Sequence, residues 1–101
     1  MQKPRQSKKS PLTGRKRVRF QINADPNSHV YLSGSFNNWN DKGKKLVDRF
    51  KSGEFATTSY LSPGKHEYKF VIDGKWQVDP ECQEWVVNQY GTLNSVITVD
   101  K

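Results

Sequence analysis

At 101 residues, 33% of them hydrophobic, the chain has material for one modest core, burying about 60% of its unfolded surface, and none for a catalytic barrel of about 250 residues. It lacks any run of the ~18 apolar residues that a membrane span needs and the apolar stretch of a secretory signal; its single cysteine, Cys82, excludes an internal disulfide and a cysteine-built zinc site and accords with a reducing, cytoplasmic setting. The net charge of +7 resembles a nucleic-acid signature, yet eight of the 17 cations stand in residues 1–19 without an acid, leaving nine cations against ten acids beyond.

Residues 1–14 hold Pro, Ser, Lys and Gln with almost nothing to bury, so a mobile basic tail is expected there and a folded domain over 15–101. From Arg15, the segment RKRVRFQIN alternates Val18, Phe20 and Ile22 with polar residues, the period of a strand with one buried face. ADPNS turns the chain, and HVYLSG predicts a second strand ending at Gly34. There follows SGSFNNWN, residues 33–40, which spends two aromatics, three asparagines and a glycine on one turn. Leu46 to Phe50 is expected to form a third strand, KSGE a hairpin turn through Gly53, and EFATTSYL the strand after it. SPG breaks that strand. KHEYKFVI then puts His66, Tyr68, Phe70 and Ile72 on one face, and Lys65, Glu67, Lys69 and Val71 on the other. Asp73-Gly74 is a two-residue type I′ hairpin signal with KWQV returning beyond it. DPECQEWVVNQYGTLN reads as the longest irregular segment, and NSVITVD closes as a strand. Apolar residues never recur at helical spacing for long, whereas strand runs and turn signals alternate every eight to twelve residues. The pattern predicts an all-β, antiparallel β-sandwich.

The hairpin fixes a register. With Asp73 and Gly74 in the loop, Ile72 opposes Lys75 and Val71 opposes Trp76 on one face, with Lys69 diagonal to that tryptophan. The same register turns Lys75 and Gln77 toward the core side, which only a strand at a sheet edge tolerates. An outward indole beside a flexible cation is the physical description of a carbohydrate site. The axial C–H face of a glucose ring stacks on an aromatic plane, and its equatorial hydroxyls require hydrogen bonds. Trp39 and Trp76 are the candidate platforms, with Lys69 and Asn94 as candidate polar partners.

SGSFNNWN, GEF, LSPGKHEYKFVIDGKWQVDP and YGTLNSVITV, in this order and spacing, resemble the family 48 carbohydrate-binding modules, in particular the glycogen-binding domains of AMP-activated protein kinase β subunits. The resemblance runs from about Arg17 to Val99. It implies an early-set, immunoglobulin-like β-sandwich, the class also found at the N-terminal side of isoamylase-like enzymes, that binds α-1,4-linked glucans such as glycogen, starch and maltooligosaccharides. It also implies roles residue by residue. The tryptophan after FNN is Trp39 and the one after the DG turn is Trp76; the lysine of YKF is Lys69; the threonine and asparagine after the loop glycine are Thr92 and Asn94. The apolar loop tip that enters the curve of the glucan corresponds to Tyr90, a departure that keeps an apolar surface.

Other readings attach to the same residues. Trp39 and Trp76 taken alone fit core or interdomain packing, and Trp85 fits packing under the long loop, with an accessory glucan contact as its alternative. His29, His66 and Cys82 come without a nucleophile elbow or oxyanion loop. Asp79, Glu81 and Glu84 sit together in one loop, as solvated acids do, rather than flanking a cleft. The basic tail is the rival source of function, binding nucleic acid or an anionic surface with steep salt dependence, although no aromatic interleaves its cations. The expectation is therefore a noncatalytic glucan-binding module that uses no cofactor or metal. Its partners are an α-glucan and, in a regulatory or scaffold role, a glycogen-metabolism enzyme or kinase; nucleic acid is disfavoured. Met1 opens a chain that closes on its last strand, as a stand-alone protein does, although a domain trimmed from a longer chain can end the same way.

Overall fold

A computed structural model describes residues 14–101; apart from Gly14, the tail expected over 1–14 lies outside the described residues. In chain order the elements are β1 (Lys16–Asn23), β2 (Val30–Gly34), a 3-10 turn (Ser35–Asn37), β3 (Lys44–Lys45), β4 (Glu54–Leu61), β5 (Gly64–Ile72), β6 (Lys75–Gln77), β7 (Trp85–Val87) and β8 (Leu93–Val99). β1 and β4 form one antiparallel sheet, running from Lys16 opposite Leu61 to Asn23 opposite Glu54. The other has the order β3-β2-β5-β8-β7, with β6 also paired to β5. The chain is an immunoglobulin-like antiparallel β-sandwich.

The alternation in the strands explains the two layers. Phe20 and Ile22 of β1 and Phe55 and Leu61 of β4 turn inward to meet Val30, Leu32, Tyr68, Phe70 and Val99 of the larger sheet. Aromatic edges fill the middle, with the Phe20 ring 4.9 Å from Tyr68 and Tyr68 5.9 Å from Phe70, the edge-to-face geometry that the ring quadrupoles favour. Tyr68 carries a polar group into this core. The Tyr68 hydroxyl donates to Asp79 Oδ2 at 2.6 Å, the Asp79 amide donates to the Ser95 hydroxyl at 2.8 Å, and the Glu81 amide donates to Asp79 Oδ1 at 2.9 Å. Burial, reinforced by the hydrogen bond to the Asp79 carboxylate, pushes the Tyr68 pKa up, so the phenol stays a donor. Asp79 is thus a buried fastener. Glu84 is tied to Lys65 at 2.8 Å.

Three expectations need correction. The third strand falls on Lys44–Lys45 rather than Leu46–Phe50. Leu46 is buried and Val47 makes only an isolated bridge to Ala56. Beyond it the Asp48 carboxylate accepts the amides of Ser52 and Gly53 at 2.9 and 2.7 Å, which curls the chain out of the extended state. Second, the segment expected to be irregular contains β7, paired to β8. Third, Trp85 is not packed beneath a loop: it lies on β7 with 43% of its surface exposed. The DG register is the one observed, with Ile72 opposite Lys75 and Val71 opposite Trp76. Lys75 and Gln77 face the core side and are nonetheless exposed, because β6 pairs with β5 alone.

Candidate functional site

The turn after β2 is built around contacts that only its own residues allow. A Cβ on Gly34 would lie 2.5 Å from the Glu67 carbonyl oxygen and 2.8 Å from the Phe36 ring, so the backbone closes against β5 there because glycine has none. Phe36 packs on the core, its ring 6.1 Å from Phe20. The Asn37 side chain accepts the Gly34 amide at 2.9 Å and donates to the Leu32 carbonyl at 3.1 Å. Asn38 and Trp39 both take positive φ, 58° and 56°, and the Trp39 amide donates to the Gly34 carbonyl at 2.9 Å, closing a helix C-terminal motif. A bulky residue rarely adopts that conformation, and here the motif uses it to aim an indole across the sheet.

The indole it meets comes from the hairpin. Asp73 and Gly74, with φ of 50° and 82°, form the two-residue loop. The Asp73 carboxylate accepts the His29 amide at 2.9 Å while the Asp73 amide donates to the His29 carbonyl at 2.9 Å, which fastens the hairpin tip to the start of β2. Trp76 is 46% exposed; its ring centre lies 6.5 Å from that of Trp39, with 48° between the planes. The two rings form a tilted pair rather than one flat surface.

A groove of about 790 Å³ runs from this pair to the β7–β8 loop. Trp39, Lys69, Trp76, Tyr90, Thr92 and Asn94, the six residues singled out in the sequence, all line it. Tyr90, 81% exposed, stands at the loop tip. The polar floor is a chain of hydrogen bonds. Lys69 Nζ donates to Thr92 Oγ1 at 3.1 Å, Asn88 Nδ2 donates to Thr92 Oγ1 at 2.7 Å and to Asn94 Oδ1 at 2.9 Å, and Asn94 Nδ2 donates to Glu67 Oε1 at 2.9 Å. Both lone pairs of the Thr92 hydroxyl are occupied, so its proton points away from both donors. Lys69 keeps further N–H donors, Asn94 keeps its second, and Glu67 keeps an oxygen to accept.

Two of these residues, Glu67 and Asn88, were not among those singled out. Asn88 shapes the loop: its Oδ1 accepts the amides of Tyr90 and Thr92 at 2.9 and 3.2 Å, and its carbonyl accepts the Gly91 amide at 3.0 Å. The legible signal was the Asn-x-x-Gly spacing of a tight turn, Asn first and Gly91 fourth. Glu67 was legible only as a member of the outward face of β5; its partner Asn94 comes from β8, a neighbour that local periodicity does not reveal.

Tilted indoles over a floor of amide, hydroxyl, ammonium and carboxylate groups, carried on one face of a β-sandwich, are the layout of a carbohydrate-binding module. The family model described as the glycogen recognition site of AMP-activated protein kinase matches residues 13–101, and the chain belongs to that family. It is 44% identical over 72 residues to the β-1 subunit of 5′-AMP-activated protein kinase of Sus scrofa, which covers 71% of this chain and 55% of that one. The Homo sapiens β-1 subunit is 44% identical over 72 residues, covering 71% of this chain and 25% of the relative. The Mus musculus β-2 subunit is 42% identical over 73 residues, again 71% and 25%. The chain thus spans between about half and a quarter of the length of these curated relatives.

Proposed function

We propose that the groove binds α-1,4-linked glucans, including glycogen, starch and maltooligosaccharides, without chemistry, through Trp39, Lys69, Trp76, Tyr90, Thr92 and Asn94. The observation that carries this reading is the pair of indoles 6.5 Å apart on the rim of a groove whose floor presents donors of fixed direction. Glycoside hydrolysis uses two carboxyl groups flanking the bond, and Glu67 is the one carboxylate among the groove-lining residues. That supports docking rather than catalysis. Each stacking platform contributes roughly 1 to 3 kcal/mol and each hydrogen bond about 1 kcal/mol net. After ordering losses the expected binding energy is about −5 to −7 kcal/mol, a Kd on the order of 10–200 μM. Titration with maltoheptaose against the β-linked cellohexaose tests this. The native chain is expected to bind the first and not the second, and Trp39→Ala and Trp76→Ala are each expected to weaken binding by about 5- to 150-fold. Equal affinity for cellohexaose, or indifference to both substitutions, overturns the assignment.

The relatives are subunits of a kinase, and we infer that the module's role is to bring a kinase or another glycogen-metabolism enzyme to glucan in the cytoplasm. Among the described residues no helix is long and apolar enough to cross a membrane.

A further inference from the structure

Eight large hydrophobic residues are exposed among the described residues, and five of them, Trp76, Trp85, Val87, Tyr90 and Leu93, gather around β6, β7 and the start of β8. Trp76 and Tyr90 are accounted for by the groove. Trp85, Val87 and Leu93 form a second cluster, which follows from strand register. Val86 opposes Asn94, a groove residue, whereas Val87 opposes Leu93 and Trp85 opposes Ser95, so Trp85, Val87 and Leu93 share the reverse face of the β7–β8 pair. The two-stranded sheet leaves this margin uncovered: the three are 43%, 70% and 45% exposed. β7 is the terminal strand of its sheet. Val87 belongs to both surfaces, since it also lines the groove. The groove and the Trp85 face therefore meet at Val87 on this sheet edge, and Trp85 stands two residues, about 7 Å, back along the strand.

We propose that Trp85, with Leu93 and Val87, is an accessory glucan subsite, engaged by the part of an α-1,4-glucan chain that extends past the groove and bends around the edge of β7. It rests on the reading of the groove as a glucan site. Continuity through Val87 favours a glucan over a protein as occupant, and the intrinsic curvature of α-1,4-linked chains suits a path around an edge. The subsite takes only chains long enough to leave the groove, so it discriminates by length.

The test measures the affinity of the native chain and of Trp85→Ala for maltotriose and for a long linear maltodextrin, with Trp76→Ala as reference. Trp85→Ala is expected to weaken binding of the long chain about tenfold, the effect of one lost stacking platform, and to leave maltotriose unchanged, with Trp85→Phe restoring most of the loss. An unchanged affinity for the long chain, or equal losses on both ligands, overturns the proposal. Sedimentation of both proteins separates the other occupant: if the native chain self-associates and Trp85→Ala does not, with glucan binding untouched, the face belongs to a second copy and the proposal fails. If Trp85→Ala does not fold, Leu93→Thr makes the same comparison. Failure of the groove reading shows itself separately, as wild-type maltotriose affinity in Trp76→Ala.

Discussion

Replacing Asn88 separates the two jobs its side chain performs. Asn88→Ala removes four hydrogen bonds at once, those accepted from the Tyr90 and Thr92 amides and those donated to Thr92 Oγ1 and Asn94 Oδ1. The loop amides can turn to water, but Asn94 is only 5% exposed, and a buried acceptor left without its donor costs about 1–3 kcal/mol. For a domain of this size a net loss of 1–2 kcal/mol lowers Tm by about 5–15 °C. Binding weakens as well, because the freed loop must be ordered again by the ligand; at about 1–2 kcal/mol in total this is about a 5- to 30-fold rise in Kd. Asn88→Asp is the sharper experiment. It keeps the acceptor for both amides, so the loop holds its shape, but replaces a donor by an acceptor. The Thr92 hydroxyl then turns its proton inward to the new carboxylate and presents nothing to the sugar, while Asn94 cannot reverse its amide without setting its oxygen against Glu67. Calorimetric titration with maltoheptaose, alongside thermal unfolding, is expected to show Asn88→Asp closer to wild type in Tm than Asn88→Ala but at least as impaired in binding. Wild-type glucan affinity in Asn88→Asp refutes the argument that the direction of the Thr92 proton matters.

Gly34→Ala places a methyl 2.5 Å from the Glu67 carbonyl oxygen; overpacking of this kind costs about 1–3 kcal/mol, and urea unfolding together with maltoheptaose titration is expected to show loss of both stability and affinity as the Trp39 turn is pushed off β5. A variant as stable and as tight as the native chain would mean the turn is not held there. Tyr68→Phe addresses the buried fastener. The folded-state pKa of Tyr68 is raised above the unfolded value of about 10, so the native state binds more protons than the unfolded state at alkaline pH. Stability is full below pH about 10 and falls above it by about 1.4 kcal/mol per pH unit. Tyr68→Phe is expected to be about 1–3 kcal/mol less stable at pH 7 yet to show a flatter alkaline limb in denaturant titrations. An unchanged slope above pH 10 would remove Tyr68 as its source.

Where local pattern and tertiary demand agree, the strands were legible. EFATTSYL occupies β4 from Glu54 to Leu61, and the type I′ chemistry of Asp73-Gly74 fixed the register that brings Trp76 opposite Val71. The apolar alternation in β1 and β5 belongs to residues that meet in the core. β3 and β7 carry no such signature, because their partners define them: Lys44 and Lys45 are both exposed and pair with Leu32 and Tyr31. Leu46 to Phe50 looked extended by composition, but Asp48 folds the chain locally by capturing two amides. In the groove the aromatics were legible, since an indole is costly to expose without use. Asn88 and Glu67 were not, since amides and carboxylates are common on any surface, and their importance arises from partners supplied by other strands.

Both indoles and part of the floor refer to a single strand. Glu67 and Lys69 project from β5, Trp76 is registered on its Val71, and the turn carrying Trp39 abuts the Glu67 carbonyl. Among the described residues these anchors are borne by a strand rather than by a hinge, so the lifetime of the complex follows from its contact energy. With an association rate constant of about 10⁶ M⁻¹s⁻¹ and a Kd near 100 μM, dissociation proceeds at on the order of 10² s⁻¹. At that rate a module mounted this way releases a glucan chain in about 10 ms, and on a particle with many chain ends it samples one after another instead of remaining on the first.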